Sequence, residues 1–496
     1  MNQSLNTRYV LLTTNYSSRT DCGSPHDAAG LPTTHCPMNQ NIFRSYDIRG
    51  IYPSELDENT AKKIGKAYTS YLIKKLKVKS PKVIVGKDNR PHGVSLQAAF
   101  IEGCLEHGAT VDKVEDCASP MLYHAICEGD YDGGVNITAS HNPAEYNGIK
   151  LQGRGAHSIA GDEIQVIKQM ILAEDYEAAS DDGRQKNVEI HEAYIEKTSS
   201  LVQLKKPLKI IIDAANGITG KYYPEVFRKL GCEVIELYCE QDGTFPNHEA
   251  DPVKEKNTEG LKKAVLENNA DLGISFDGDG DRCAIIDEQG VYHDANQSMV
   301  LLAEDILSRH PGTPVVFTVS NSLIVAEAIR NAGGKPLMVP VGHSYVEHAM
   351  TEHKALFGGE QSGHFFISEN YYSYDDAAYA AAKLLEIFSS SEKKVSGIYF
   401  GIEETVTAPE FRISCPDEEK FQIVEKITQA LSEKYEVNKM DGVRVEFANS
   451  AWLGIRASNT SPKLSVIIEA KTEEEFVKIA QIGEDLMNTH GLSLRS

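Results

Sequence analysis

One short pattern occurs three times in this chain, and it limits the fold more than any other feature. A run of β-branched and apolar residues ends in polar side chains and a turn, and a helical period follows. The instances are KVIVGKD (82–88), LKIIIDAANG (208–217) and PVVFTVSNS (314–322). Apolar runs without alternation read as strands covered on both faces. Strands that take turns with helices build parallel or mixed sheets. Helical spacing of apolar residues at 60–77 and 95–108 supports that reading. In such sheets ligands collect at the carboxyl ends of strands, so the turns are where chemistry is expected.

The last part of the chain has another pattern. Segments 411–414, 443–447, 451–456 and 464–470 read as short strands, and 418–435 and 472–487 as helices. That is an α+β domain with a small antiparallel sheet. A chain of 496 residues exceeds what one core organises. Domain seams are expected near 181–185, 291–296 and 403–409.

Residues 1–40 stand apart. They are rich in Ser, Thr and Asn, have no helical or strand period, and read as a disordered tail. Met38, just before the first patterned run, is a candidate start. The formal net charge of -22 argues against nucleic acid or an anionic membrane as partner. Nine cysteines, with no C-x-x-C pair, read as reduced thiols in a cytoplasmic protein.

Four turns concentrate reactive groups. In VNITASHNPAEYNGIK (135–150) a strand enters a turn carrying Ser140 and His141. Pro143 stops the strand, Asn147-Gly148 reads as a second tight turn, and Lys150 follows. A serine on such an elbow is expected to be exposed, and it suits a hydroxyl that carries a phosphoryl or acyl group. In LGISFDGDGDRCAIID (272–287) glycines let Asp277, Asp279 and Asp281 converge. Clustered carboxylates repel unless a cation neutralises them, and an all-oxygen set favours Mg²⁺ or Ca²⁺. An EF-hand loop is the rival, but Arg282 stands where that loop needs Gly, and the flanks read as strands. In FGGEQSGHFF (357–366) glycines surround Glu360, Ser362 and His364, and VGHS places His343 on another glycine turn. GIRASNTSP (454–462) gathers Arg456, Ser458, Asn459, Thr460 and Ser461 into an anion cradle suited to phosphate.

T-A-S-H-N-P, D-G-D-G-D-R, G-E-Q-S-G-H and R-A-S-N-T-S-P, in this order, resemble the loops of the α-D-phosphohexomutase superfamily. The resemblance runs from about Ile42 to the C-terminus. F-R-S-Y-D-I-R-G, V-G-H-S and D-G-V-R-V-E-F make it most similar to the bacterial phosphomannomutase/phosphoglucomutase group. Two departures bear on the sugar. Gln361 stands where that group usually has Met, as in phosphoglucosamine mutases, and Thr318 lies at or near the place of a lysine.

The resemblance implies three tandem related α/β domains with mixed sheets plus a C-terminal α+β domain, arranged around a central cleft. The expected bounds are 41–185 for the phosphoserine domain, 186–293 for metal, 294–405 for sugar and 406–496 for phosphate. It implies an enzyme that interconverts hexose 6-phosphate and hexose 1-phosphate through a phosphoserine and a 1,6-bisphosphate. Mannose and glucose phosphates are the expected substrates, with glucosamine phosphate as the alternative. Ser140 would be the phosphoserine. Asp277, Asp279 and Asp281 would hold one Mg²⁺ with a phosphoserine oxygen. Lys150, Arg282, His343, His364, Arg49 and Tyr46 would line the reacting end, with His343 the first choice of base. Glu360 and Ser362 would bind sugar hydroxyls, and Arg456, Ser458, Asn459 and Thr460 the idle phosphate. Hexose 1,6-bisphosphate would be the activator, and a monomer or weak oligomer is expected.

Overall fold

A computed structural model describes residues 38–177, 182–408, 410–448, 450–458 and 462–494. The tail expected at 1–40 lies outside them up to residue 37. The described residues form four sheets, and the first three repeat one order of strands. A central strand (Lys82–Lys87, Lys209–Asp213, Pro314–Thr318) pairs in parallel with the next strand of the chain (Thr110–Lys113, Glu233–Leu237, Lys335–Val339). On its other side it pairs in parallel with the strand after that (Gly133–Ile137, Leu272–Phe276, Phe357–Gly359). The chain then doubles back as an antiparallel neighbour (Tyr146–Gly153, Cys283–Asp287, Phe365–Ile367). The three apolar runs of the sequence are thus the three central strands. The loops with Ser140, the aspartates and Glu360–His364 are the three equivalent hairpin turns.

The sequence accounts for these elements locally. Ile210, Ile211 and Ile212 are all fully buried, which a strand achieves only when both faces of its sheet are covered. Asp57 caps helix Glu58–Leu76 by accepting the Thr60 amide, and Asp294 with Gln297 forms a capping box on helix Ala295–Arg309. Helix Ala377–Ser390 buries all five of its alanines against helix Ala295–Arg309 and strand Phe365–Ile367. Strand Arg184–Asn187 pairs with Thr110–Lys113 and so runs across the seam expected between 185 and 186.

The fourth sheet is antiparallel, in the order Val406–Thr407, Lys463–Ala470, Ala451–Ala457, Val443–Phe447, Val437–Asn438, and Phe411–Ser414 also pairs with Lys463–Ala470. Helices Lys420–Ser432 and Glu473–Thr489 pack on it. Two buried groups tie it to the third domain. Arg444 donates to the carbonyls of Val319 (2.7 Å) and Asn321 (2.9 Å) and stacks on Trp452. Glu469 accepts from the Leu323 amide (3.0 Å), Thr405 (2.7 Å), Ser322 and Trp452. The described cysteines are all free thiols, and no helix among the described residues is long and apolar enough to cross a membrane.

Candidate active site

The hairpin turn after strand Gly133–Ile137 holds Ser140 in the left-handed region, at φ 50°. A residue with a Cβ does not adopt this alone. Thr138 Oγ1 accepts from the Ser140 amide (2.9 Å) and donates to Asp88 (2.7 Å). The hydroxyl of Ser140 donates to Asp277 Oδ2 at 2.7 Å and lies 3.2 Å from His141 Nδ1. Ser140 is only 1% exposed, against the expectation of an exposed elbow. The reason is the aspartate loop, which presses on it. A Cβ on Gly278 would lie 2.5 Å from the Ser140 carbonyl oxygen, so only glycine permits the approach. Asn147 and Gly148 also differ from expectation. They lie inside strand Tyr146–Gly153, not in a turn. Gly148 is required there by packing, since its Cβ would meet the carbonyl oxygens of Thr138 at 2.6 Å and Ile48 at 2.7 Å.

The turn between Leu272–Phe276 and Cys283–Asp287 brings the three aspartates together. Each offers a carboxylate oxygen, and these lie within 4.8 Å of one another. Asp277 Oδ1 accepts from the amides of Gly280 (2.9 Å), Asp281 (3.1 Å) and Arg282 (3.2 Å), which fixes the curl of the loop. Lys150 Nζ reaches Asp279 (2.7 Å) and Asp281 (2.5 Å). Burial alone would strip the proton from Lys150, but the two carboxylates outweigh it and hold its pKa well above the ordinary value. Asp277 has a more distant cation, with Arg282 Nε 3.9 Å from its Oδ2. Burial and the neighbouring charges of Asp281 and Asp279 push its pKa well up. Asp279 Oδ1 has no hydrogen-bond partner among the described residues. An orphaned buried oxygen and a carboxylate forced towards its protonated form fit a site for a divalent cation that prefers hard oxygen ligands.

The third turn places His364 against the aspartates. Its Nε2 is 3.4 Å from Asp281 and 3.1 Å from Arg282 Nε, and its Nδ1 meets Ser362 (2.8 Å) and Glu360 (3.1 Å). Burial and Arg282 lower its pKa, yet Asp281 and Glu360 prevail and raise it to about 9. His343 begins helix His343–His353, where Glu360 accepts from the Gly342 amide at 2.8 Å. Burial, Lys150 and His364 bring His343 down to about 4, so it is a neutral imidazole at neutral pH. Tyr46 donates to the Val341 carbonyl at 2.5 Å, while Asp441 of the fourth domain accepts from the Val341 amide at 3.2 Å. Arg49 donates to Asn142 at 2.7 Å and pairs with Asp47.

These groups line one cavity of about 170 Å³, whose wall includes Ser140, Lys150, Arg282, His343, Arg49, Tyr46, Glu360, Ser362, His364, Arg456 and Ser458. The aspartates lie fully buried beside Ser140. Asn459 and Thr460 fall outside the described residues. His141, noted in sequence beside Ser140, shares the wall, and sequence reasoning missed Asp47, Glu410, Arg412, Lys463 and Ser465, which share it too. Glu410 sits 3.8 Å from Arg456 and 2.9 Å from Arg412. Nothing in their local sequence marks Glu410, Arg412, Lys463 and Ser465, because strand pairing between Phe411–Ser414 and Lys463–Ala470 assembles them. A larger groove of about 1260 Å³ elsewhere, floored by Leu301, Ile324 and Ile398, holds none of the candidate groups.

The raised pKa of His364 carries a consequence for stability. Unfolded histidine titrates near 6.5, so between about pH 6.5 and 9 the folded protein keeps a proton that the unfolded chain loses. The resulting stabilisation, on the order of 3 kcal/mol, is complete below the lower value and gone above the upper one. In metal-free protein, denaturation midpoints of wild type and His364→Gln should differ at pH 6 and converge by pH 10. A gap that stays constant with pH would contradict this account.

Four family profiles match the chain in succession. They are phosphoglucomutase/phosphomannomutase alpha/beta/alpha domain I at residues 40–178, domain II at 192–290, domain III at 294–405, and the C-terminal domain at 410–482. A phosphomannomutase/phosphoglucomutase of Pseudomonas putida is 38% identical over 90% of this chain and 95% of its own. A phosphoglucomutase of Neisseria gonorrhoeae is 36% identical over 89% and 95%. Among solved structures, a phosphoglucomutase/phosphomannomutase family protein of Burkholderia thailandensis superposes with a TM-score of 0.85 at 31% identity, covering 91% of this chain and 98% of that one. The fold extends to an Aspergillus fumigatus N-acetylphosphoglucosamine mutase, solved with GlcNAc-6P and magnesium, at a TM-score of 0.56 and 16% identity over 88% of this chain and 94% of that one.

Proposed function

The chain belongs to the phosphoglucomutase/phosphomannomutase family, and from that premise we propose that Ser140 carries the phosphoryl group between O6 and O1 of mannose and glucose phosphates. The observation that carries this reading is the 2.7 Å contact between the Ser140 hydroxyl and Asp277, with the other two aspartates of the cluster alongside. An alcohol and a cation-binding acidic cluster meet at one point, inside a cavity that also holds cationic side chains.

The four domains, with seams near 187, 293 and 405, each give one loop to this cavity. Asp277, Asp279 and Asp281 would hold Mg²⁺, which would supply positive charge to the phosphoryl group on Ser140. In the first transfer the P–Oγ bond breaks as a P–O bond forms to the free hydroxyl of a hexose 6-phosphate or 1-phosphate. His343, neutral at neutral pH, takes the proton of that hydroxyl. Arg282 and Arg49 face the transferred group, and Lys150 holds Asp279 and Asp281 in place. Glu360 and Ser362 orient the sugar hydroxyls. Arg456 and Ser458, with Asn459 and Thr460, hold the phosphate that is not reacting. The 1,6-bisphosphate then turns end for end and returns its other phosphate to Ser140. One cradle that serves both orientations explains why a single cavity can act on both ends of the sugar.

Turnover on mannose 1-phosphate, glucose 1-phosphate and glucosamine 1-phosphate, with Mg²⁺ and a trace of glucose 1,6-bisphosphate, tests the reading. Conversion of the first two to 6-phosphates is expected. Failure on both would sink it. Arg456→Ala should raise KM for each good substrate by about 10- to 100-fold, because it removes one charge-assisted phosphate contact.

A further inference from the structure

We propose that Arg90 is the positioning residue of the transferring serine, and that Phe245 of the second domain holds Arg90 in that role. The inference rests on Ser140 being the group that is phosphorylated. Arg90 is 1% exposed, and its guanidinium serves the serine turn almost alone. Nη2 donates to the carbonyls of Ser140 (2.9 Å) and Asn142 (2.6 Å), and Nη1 to those of Pro143 (2.7 Å) and Tyr146 (3.0 Å). Nε donates to Asp88 at 3.1 Å, and Asp88 accepts in turn from Thr138, whose hydroxyl receives the Ser140 amide.

Both polar groups of the Ser140 backbone therefore lead to Arg90, the carbonyl directly and the amide through Thr138 and Asp88. That is a reason for this turn to tolerate φ 50° at a serine, a conformation that a residue with a Cβ disfavours. The backbone angle sets where Oγ points, and Oγ must meet Asp277 at 2.7 Å. A planar guanidinium can reach four carbonyls and a carboxylate at once. An ammonium has three donors in a tetrahedron and cannot.

The second domain closes this arrangement. The Phe245 ring lies 5.0 Å from the Arg90 guanidinium carbon, and Asn89 donates to the Asn216 carbonyl at 2.7 Å. A Cβ on Gly243 would lie 2.3 Å from the Asn89 carbonyl oxygen and 2.8 Å from Arg90 Cα. Loop 242–245 therefore presses directly on the segment that sets the serine. The same domain carries the aspartates that Ser140 must face, so one interdomain contact aligns both halves of the chemistry.

Arg90→Lys tests this in the full chain. The expected result is a kcat about 10²-fold lower, the effect of displacing a reacting atom by about 1 Å. KM for glucose 1-phosphate should stay within about twofold, since the groups that bind sugar and idle phosphate lie on other domains. The rate of Ser140 phosphorylation by glucose 1,6-bisphosphate, read by intact mass, should fall in step with kcat. A merely structural role would instead lower the folded fraction and leave kcat per folded molecule unchanged, and that result overturns the proposal. If Arg90→Lys does not fold, Phe245→Leu decides, with a kcat loss of about 10-fold at unchanged KM expected. Wild-type kcat in folded Phe245→Leu would then overturn it. An active Ser140→Ala would overturn the serine reading itself, whereas an inactive Ser140→Ala beside a fully active Arg90→Lys would overturn only the role of Arg90.

Discussion

Ser140→Ala should lose at least about 10⁴-fold in kcat and should take up no phosphate from glucose 1,6-bisphosphate. The loss is expected to be this large because the alcohol is the only group that links the two half-reactions. Without it the 6-phosphate and the 1-phosphate can exchange only by direct transfer between two bound sugars, for which the cavity offers one set of sugar-facing groups, Glu360 and Ser362. Folding should be little affected. The Ser140 backbone contacts to Thr138 and Arg90 do not use the hydroxyl, and the lost hydrogen bond to Asp277 is worth about 1 to 3 kcal/mol. Substrate should still bind, since Glu360, Ser362 and Arg456 are untouched. The informative combination is therefore normal folding, normal affinity for glucose 1-phosphate and near-zero turnover. Intact mass of wild type after the same incubation should show one added phosphate, mapped to Ser140. A fully active alanine variant would remove the serine from the mechanism.

How much of this was legible beforehand depended on whether a feature was local in sequence. The hairpin turns were visible because strand, glycine and reactive group follow within a few residues, as in 272–287. The threefold repeat was visible from its central strands, although the similarity that matters is one of topology. Glycine was the least readable residue. Gly148 looks like a turn former beside Asn147, yet it sits in a strand because the Thr138 and Ile48 carbonyls leave no space for a side chain. The burial of Ser140 was unreadable for the same reason, since it depends on Gly278 arriving from another domain. The set around Arg456 was read only in part. Arg456 and Ser458 lie two residues apart, at the end of strand Ala451–Ala457 and just past it, but Glu410, Arg412 and Lys463 join them across strand pairs. Protonation states were equally hidden. His343 and His364 both sit beside glycine in the sequence, yet one is drawn to about 4 and the other pushed to about 9 by partners from three loops.

Removing the cation should also suppress turnover, and the electrostatics of the aspartate loop give the expectation a form of its own. Without metal, Lys150 satisfies one oxygen each of Asp279 and Asp281, and Asp277 is pushed towards holding a proton by burial and its two neighbours. A divalent ion must displace that proton to gain a third ligand. Mg²⁺ binding should therefore release protons, and its affinity should rise with pH. Titration calorimetry in two buffers of different ionisation enthalpy would measure the release directly. Asp277→Asn removes both the charge and the proton, so it should bind Mg²⁺ weakly and with no proton release. In wild type, Mg²⁺ at about 100 times its Kd should stabilise the fold by about 2.7 kcal/mol, and Asp279→Ala should lose this stabilisation. Chelation should lower kcat by at least about 10³-fold, with recovery on adding Mg²⁺ back. Metal binding without proton release would mean that Asp277 is already ionised beside Asp279 and Asp281, and that Lys150, Arg282 and His364 suffice to neutralise the loop. Full activity in the presence of chelator would leave those three cations, and not a metal ion, as the counter-charge for phosphoryl transfer.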